Sequence, residues 1–226
     1  MRYKNSELLR IFLKIVILQS ENSEIMIKTI VFDFGKVLVD YEFDHFLVPL
    51  FKGNVQEVEK FKAVMCNEEF VLRMDKGETS FEDLIAEKQT EYPQWNYELQ
   101  EFRDRQIEII TEEIPGMRSL IHRLRAADYG IYGLTNWCNN VYEVIEKFDI
   151  LQLMDYRLIS SEEKLIKPHV DIYRRFCEKF GFKAEECVFT DDKLSNILGA
   201  RQAGMHAIQF FNAAQFEQEL SRLTSF

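Results

Sequence analysis

The sequence predicts an α/β fold: a doubly wound parallel sheet with a helical segment inserted after its first strand. Short apolar runs rich in β-branched residues recur along the chain, and stretches of helical periodicity separate them. The 226 residues include 9 Gly and 4 Pro, too few for the many turns of an all-β sandwich or barrel. One long helical stretch, residues 42–113, interrupts the alternation of strands and helices.

Composition limits the classes of protein to consider. Hydrophobic residues make up 46% of the chain and aromatic residues 13%, enough to form a full core and to exclude general disorder. The 28 Lys and Arg against 38 Asp and Glu give a net charge of −10, which repels a phosphate backbone and excludes nucleic acid as a general partner. The 4 cysteines form no C-x-x-C pair and show no zinc-ligand spacing, so we expect reduced thiols in a cytoplasmic protein.

Residues 1–25 differ in pattern from the rest of the chain. Apolar residues recur at helical spacing between Leu8 and Leu18, but this stretch is shorter than the ~20 residues of a membrane span, so we expect no stable membrane insertion. Arg10 and Lys14 interrupt the stretch, unlike the uncharged region of a signal peptide. We expect an N-terminal extension outside the fold. A basic amphipathic helix that touches a membrane surface or a partner is the alternative.

The first predicted strand and the insert that follows it have different patterns. KTIVFDF, at residues 28–34, is an apolar and β-branched run that contains an acid, typical of a buried parallel strand and its end. Residues 42–113 instead contain charged, helix-forming stretches: VQEVEKFKAVM, SFEDLIAEKQ and YELQEFRDRQIEII. We interpret this segment as a compact helical insert.

After the insert, strands and helices alternate again, so residues 26–41 and 114–226 are predicted to form one core. Three strand-like runs occur, at residues 129–136, 187–192 and 206–210. Helical patterns lie before and between these runs, at residues 117–127, 141–148, 170–180 and 194–203. Such alternation indicates right-handed βαβ units with helices on both faces of the sheet.

Polar residues end the three longer strands at the edge where doubly wound sheets bind ligands. They are Asp33, the pair Thr135 and Asn136, and the pair Asp191 and Asp192. Each of them alone is typical of a turn, a helix cap or a solvated surface. Lys167 precedes a predicted helix and adds a cation. Together these residues predict one functional site at the sheet edge.

Four segments carry a family resemblance, in the order IVFDFGKVLVD, GLTNW, SSEEKLIKPHVDIY and VFTDDKLSNILGARQAGMHAI. Together they resemble the haloacid dehalogenase-like (HAD) hydrolase superfamily, whose core is a Rossmann-like sheet, over roughly residues 27–212. DFGKVLVD and LIKPHVDIY are most similar to the phosphatase branch that includes glucose-1-phosphate phosphatases. The phosphatase domain of soluble epoxide hydrolase is a more distant likeness.

This resemblance implies a phosphoryl-transfer site. Asp33 would be the nucleophile that forms an aspartyl-phosphate. Lys167 would stabilise the transferred phosphoryl group, and with Thr135 and the amide groups near Asn136 it would bind the phosphate oxygens. The implied Mg²⁺ ligands are Asp33, the Gly35 carbonyl, Asp191 and Asp192. The implied partner is a small phosphorylated metabolite, and we expect a monomer or a weak dimer.

Gly35 departs from the family pattern, because most HAD phosphatases carry there a second aspartate that protonates the leaving alcohol. Glycine keeps the carbonyl for the metal but has no acid. General acid catalysis is typically worth ~10²–10⁴-fold, so we expect a slow enzyme or a good leaving group. A sugar 1-phosphate fits, because its anomeric oxygen is less basic than an ordinary alkoxide. Asp40 and Tyr41 are nearby candidates for a replacement acid.

Two alternatives remain open. A metal-independent 2-haloacid dehalogenase also lacks the second aspartate, because halide leaves without a proton, but it gives Asp191 and Asp192 no evident role. A catalytically weak HAD-fold binding protein would be expected to lose Asp33 or Lys167, and both are present.

The insert resembles the helical cap of the family, which closes over the site and selects substrate. Residues 42–113 are therefore expected to be this cap. Arg73, Asp75 and Glu78 are candidates to contact a sugar, or they form a solvated turn. Trp137 either faces the ligand or packs beneath the cap.

Overall fold

A five-stranded parallel sheet forms the centre of the computed structural model, which describes residues 26–226. The strand order is β5-β4-β1-β6-β7. The five strands are β1 (Thr29–Phe32), β4 (Gly130–Thr135), β5 (Tyr156–Ile159), β6 (Cys187–Asp191) and β7 (His206–Gln209). Every pairing in this sheet is parallel, which confirms the predicted fold class. The predicted N-terminal extension, residues 1–25, lies outside the described residues.

The central position of β1 follows from its sequence, because all four residues of TIVF are buried and both faces of the strand are covered. Ile30 and Phe32 pack into the core on one face of the sheet, and Val31 packs into the core on the other. β1 therefore ends between the ends of β4 and β6.

Helices cover both faces of the sheet. One face carries α6 (Met117–Ala126), α7 (Val141–Lys147) and α11 (Ala213–Leu220). The other carries α9 (Val170–Phe180) and α10 (Leu194–Gln202), and the short α8 (Ser160–Glu163) follows β5. Within residues 26–226, no helix combines the length and the hydropathy that a membrane crossing needs.

The insert contains five helices among the described residues and has its own apolar core. They are α1 (Phe43–Leu50), α2 (Val55–Met65), α3 (Glu68–Lys76), α4 (Phe81–Glu91) and α5 (Asn96–Arg105). Buried aromatic residues, Phe61 and Phe102 among them, form this core. The helices α2, α3 and α4 begin after Asn54, Asn67 and Ser80, whose side chains each accept a hydrogen bond from a backbone amide of the first turn.

The chain enters and leaves the insert through a short antiparallel ribbon of β2 (Val39–Tyr41) and β3 (Ile110–Glu113). This ribbon was not predicted, because strands of three and four residues are too short to show a period of two. Nor was β5, an edge strand that reads YRLI and whose Tyr156 is 62% exposed. The four strands that were predicted are all present, and the predicted core helices end within one residue of the observed ends.

A close contact joins the end of α3 to the core. Gly77 has φ +64°, and a Cβ there would lie 2.8 Å from the backbone of Ser161. Only glycine fits such a conformation and such an approach without strain. The Ser160 hydroxyl donates a hydrogen bond to the Asp75 carbonyl, and Lys164 Nζ donates one to the Gly77 carbonyl. The last turn of α3 is therefore held against the carboxyl end of β5.

A second close approach fixes the loop that carries Lys167. Gly199, in α10, faces the carbonyl of Pro168, and a Cβ at position 199 would lie 2.2 Å from that oxygen. Backbone cannot move aside as a flexible side chain can, so any larger residue must separate the helix from the loop.

Gly199→Ala is expected to lower the free energy of unfolding by about 1–3 kcal/mol, because the added methyl group overlaps the Pro168 carbonyl. Urea denaturation checks this. Ser195→Ala, at an exposed position of the same helix, is the control and is expected to change stability by no more than about 0.5 kcal/mol. An equal effect of the two variants would contradict the packing argument.

Candidate active site

The sheet brings the predicted polar residues to one edge. Asp33 directly follows β1, Thr135 is the last residue of β4, and Asp191 is the last residue of β6. The Asp33 amide donates to the Thr190 carbonyl at 3.0 Å, which continues the ladder one residue beyond the strand. Lys167 comes from the loop before α9 and reaches the same edge. The structure therefore brings Asp33, Lys167 and Asp191 together at this edge.

The Lys167 ammonium lies at the centre of the cluster and is almost fully buried, with a side chain 1% exposed. Its Nζ lies 2.8 Å from Asp33 Oδ1 and 2.7 Å from Asp191 Oδ2, and it donates to the Leu134 carbonyl at 3.0 Å. All three ammonium protons therefore have an acceptor. Burial disfavours the charged form, but the two carboxylates outweigh burial and raise the pKa of Lys167.

Asp191 is held rigidly as the partner of this lysine. Its oxygens accept two contacts from Asn196 Nδ2, both at 2.9 Å, and one from the Lys193 amide at 2.8 Å. Burial alone would raise the pKa of Asp191, but Lys167 and these donors lower it. Asn196 is in turn fixed by Tyr173, whose hydroxyl donates to the Asn196 carbonyl at 2.7 Å.

Asn136 holds the backbone of Lys167. Its Nδ2 donates to the Lys167 carbonyl at 3.0 Å, and its Oδ1 accepts from the Lys167 amide at 2.9 Å. The Asn136 side chain is therefore occupied in positioning the lysine, a role that the sequence spacing did not indicate. Thr135 is buried at the end of β4, directly after Leu134.

Asp33 is a buried carboxyl, and one of its two oxygens, Oδ1, has hydrogen-bond donors. Among the described residues, Lys167 Nζ and the Phe34 amide both reach Oδ1, the amide at 2.8 Å, which leaves Oδ2 for a ligand. Burial raises the pKa of Asp33 to about 7, with a smaller contribution from the Asp191 charge, and Lys167 opposes this rise.

The charges of the cluster suit a divalent cation. Asp33, Asp191 and Asp192 can each place one oxygen so that the three oxygens lie within 4.8 Å of one another. Three carboxylates face one ammonium, so the buried site carries excess negative charge. Burial and the neighbouring Asp191 raise the pKa of Asp192, although the charges of Lys193 and Lys167 lower it. An all-oxygen donor set of this kind fits Mg²⁺.

At position 35 the surroundings are crowded by aromatic rings. A Cβ on Gly35 would lie 3.1 Å from Tyr41 Cε1 and 3.9 Å from Trp137 Cζ3, so a larger side chain needs Tyr41 to move. Burial, with the charges of Asp192 and Asp33, raises the pKa of Tyr41 to about 12. Asp40 binds Lys36 at 2.5 Å, and this contact outweighs burial and lowers the pKa of Asp40. Tyr41 is therefore too weak an acid, and Asp40 is ionised near neutral pH, so neither candidate is suited to donate the proton.

A cavity of about 510 Å³ lies between the insert and this edge of the sheet. Tyr41, Asn136, Trp137 and Lys193 line it, and Asp75 of α3 lines it from the insert. Trp137 thus faces the cavity. Burial raises the pKa of Asp75 to about 6, although the charges of Lys193 and Lys167 lower it.

The other two predicted sugar contacts are engaged elsewhere. Arg73 forms two hydrogen bonds with Glu87, at 2.7 and 2.9 Å, and Glu78 pairs with Lys76 at 2.5 Å. Of the three candidates on this turn, only Asp75 lines the cavity. The roles of the Leu134 carbonyl and of Ser160 were not predicted, since no residue type signals a backbone acceptor or a contact made across 85 residues.

Comparison with known proteins identifies a family. The sequence model of the haloacid dehalogenase-like hydrolase family matches residues 27–204 of this chain. Two curated relatives are a glyceraldehyde 3-phosphate phosphatase of Pyrococcus abyssi, 33% identical over 101 residues, and a flavin mononucleotide hydrolase of Arabidopsis thaliana, 29% identical over 114 residues. These matches cover 43% and 49% of this chain, and they span 42% and 45% of the relatives' own lengths.

A solved HAD-family enzyme from Bacteroides thetaiotaomicron shares the fold. It superposes with a TM-score of 0.70 at 18% identity, covering 86% of this chain and 98% of that one. The same enzyme in complex with magnesium and inorganic phosphate superposes with a TM-score of 0.63 at 19% identity, covering 83% and 96% of the two chains. At this identity the likeness shows the fold alone.

Lys167→Met is expected to lower the free energy of unfolding by about 3–5 kcal/mol, because it leaves Asp33 and Asp191 buried without their cation. Urea denaturation in EDTA checks this without a metal ion to compensate. Lys60→Met is the matched control, since Lys60 is 64% exposed in a surface pair with Glu57, and it is expected to cost less than about 1 kcal/mol. Similar costs for both would show that the buried cation does not hold the site together.

Proposed function

The chain belongs to the haloacid dehalogenase-like hydrolase family, and we propose that it is an Mg²⁺-dependent phosphatase that hydrolyses a small phosphorylated metabolite through Asp33. The observation that carries this proposal is the buried cluster in which Lys167 bridges Asp33 and Asp191 beside Asp192. Support comes from a curated relative named as a phosphatase, from one named as a flavin mononucleotide hydrolase, and from a neighbour of the same fold solved with magnesium and phosphate.

In the proposed mechanism, Asp33 attacks phosphorus in line with the ester oxygen. A bond forms between the carboxylate oxygen and phosphorus, and the bond to the ester oxygen breaks and gives the alcohol after protonation. Water then attacks the phosphorus of the aspartyl-phosphate, which releases phosphate and restores the carboxylate. The charge of Lys167 favours the ionised form of Asp33 and stabilises negative charge on the transferred group.

The remaining residues hold these groups in place. We assign Thr135 and the backbone amides after β4 to the phosphate oxygens, and Asn136 to the orientation of Lys167. Asp33, Asp191, Asp192 and the Gly35 carbonyl would hold Mg²⁺, which when bound offsets the repulsion between the carboxylate and the phosphate dianion. Asp191 therefore serves both the lysine and the metal.

The proposed domain organisation follows the sequence analysis: an extension at residues 1–25, a core of residues 26–41 and 114–226, and a cap of residues 42–113. The apolar cluster inside the insert supports this division. So do the two connections between the insert and the α/β core, which are the β2–β3 ribbon and the contact of Gly77, at the end of α3, with Ser161. A cytoplasmic location and a monomer or weak dimer remain predictions. The sugar phosphate is also untested, and the apolar lining of the cavity argues against it.

Asp75 is the side chain best suited to replace the acid that Gly35 lacks. It lines the same cavity as Lys193 and Asn136, and the charge of Lys167 lowers its pKa. A carboxyl with a pKa of about 6 holds a proton over part of the range near neutral pH and can donate it to the leaving oxygen. The charged or titratable groups that interact with it are Lys193, Lys167 and Cys138.

Asp33→Asn is expected to abolish phosphate release from p-nitrophenyl phosphate, because the amide is not a nucleophile. The wild type is expected to need Mg²⁺, to lose activity in EDTA and to recover it with excess Mg²⁺. Asp40→Asn, which changes a carboxylate of the neighbouring ribbon, is the control and should retain activity. Full activity of Asp33→Asn would overturn the mechanism, and chloride release from 2-chloropropionate without metal would establish the dehalogenase.

Asp75→Asn is expected to reduce kcat/KM for an alkyl phosphate by ~10²–10⁴-fold, and to reduce it less for p-nitrophenyl phosphate, whose leaving group needs no proton. Only the protonated acid donates, and burial raises the pKa of Asp75 to about 6. Asp33, whose pKa burial raises to about 7, must also be ionised, so the wild-type rate with an alkyl phosphate should pass through a maximum between pH 6 and 7 and then fall. The variant should keep the rise and lack the descending limb.

The control for this prediction is Glu68→Gln, which neutralises another carboxylate that lines the cavity and belongs to the same helix. It should keep the descending limb of the pH profile. If Asp75→Asn retains that limb, or if both substrates lose rate equally, another group donates the proton.

A further inference from the structure

The cavity beside the proposed nucleophile has a strongly apolar lining. We infer that it binds an apolar organic group, so that the substrate is a phosphate monoester of a largely hydrocarbon or aromatic alcohol. This inference rests on the proposed phosphatase function and narrows its substrate class.

Both walls of the cavity contribute apolar side chains. The lining includes Phe43, Phe70, Val71, Met74, Ile107 and Trp137, which come from the insert, from the turn before β3 and from the core. Apolar groups gain roughly 25 cal/mol for each Å² that they remove from water, so such walls favour a hydrocarbon or an aromatic ring.

Two of the polar side chains of the cavity are already engaged, which leaves Glu68, Asp75, Gln106 and Lys193 among its polar lining residues. Asn140 Oδ1 already accepts hydrogen bonds from Trp137 Nε1 at 3.1 Å and from Cys138 Sγ at 2.7 Å. The Asn136 side chain is bound to the backbone of Lys167. A sugar would have to bury several hydroxyl groups against apolar walls, and each unpaired hydroxyl carries a desolvation penalty.

The cavity also lies at the right place for the organic part of a substrate. Tyr41 and Trp137 line it, and the same two rings lie beside Gly35, two residues after Asp33. Its volume of about 510 Å³ lies within the usual range for sites that enclose small organic molecules. The ester group of a phosphate bound at Asp33 would therefore lie next to this space, which Asp75 and Lys193 also line.

Binding of n-alkylphosphonates from ethyl to decyl, measured by isothermal titration calorimetry with Mg²⁺ below the critical micelle concentration, tests the inference. Phosphonates are not hydrolysed, so binding is observed whether or not the protein is catalytic. The Kd of a 1:1 complex is expected to fall up to roughly fourfold for each added methylene, until the cavity is full. A Kd independent of chain length overturns the inference.

Two substitutions on α3 locate the binding. Val71→Trp fills the cavity and is expected to weaken decylphosphonate by roughly tenfold or more. Leu72→Trp adds the same side chain at the neighbouring position, which is 42% exposed and outside the lining, and should leave the chain-length dependence intact. Equal weakening by both variants counts against the cavity. If Val71→Trp does not fold, the wild-type series decides alone.

Phosphate release from p-nitrophenyl phosphate, measured in parallel, separates the two proposals. If phosphate is released but the phosphonate Kd does not depend on chain length, the phosphatase proposal holds and the apolar substrate class is rejected. If the Kd falls with chain length but no phosphate is released, with or without Mg²⁺, the apolar binding site holds and the phosphatase proposal is rejected.

Discussion

The buried ammonium of Lys167 is the interaction on which the rest of the site depends. Removing a charge from water costs several kcal/mol, and here two carboxylates and one carbonyl offset that cost through direct contacts at 2.7–3.0 Å. These contacts fix the end of β1, the end of β6 and the loop before α9 relative to one another. They also leave the site negative, because Asp192 adds a third carboxylate to one cation. A place for a divalent cation follows from that imbalance.

The site residues that could be predicted from the sequence are those at the ends of strands and at the start of a helix. Asp33, Asp191 and Lys167 could be placed because buried parallel strands and helix starts have recognisable patterns, and because the fold brings carboxyl ends together. What could not be predicted depends on tertiary geometry. The Leu134 carbonyl has no sequence signal, and Asn136 could equally have faced the ligand. The short strands β2, β3 and β5 are determined by pairing partners rather than by their own residues.

Gly35 links the chemistry of the core to the insert. Without a side chain there, the Tyr41 ring lies close to the nucleophile loop, and Asp75, a carboxyl with a raised pKa, lines the cavity from α3. Nucleophile and proton donor would then belong to different parts of the chain. The close contact of Gly77 with Ser161, and the hydrogen bond from Ser160 to the Asp75 carbonyl, hold that donor against the core. Closure of the insert and acid catalysis would therefore be coupled, since the acid is in place only when the insert is.

The same burial connects reactivity with substrate choice. Burial raises the pKa of both Asp33 and Asp75, and Asp75 lines the apolar cavity. A hydrocarbon chain in the cavity would exclude more water, which strengthens the interaction of Lys167 with the transferred phosphoryl group. A polar ligand would carry water in with it and weaken that interaction. An apolar ester thus suits the electrostatics of the site as well as the shape of the cavity.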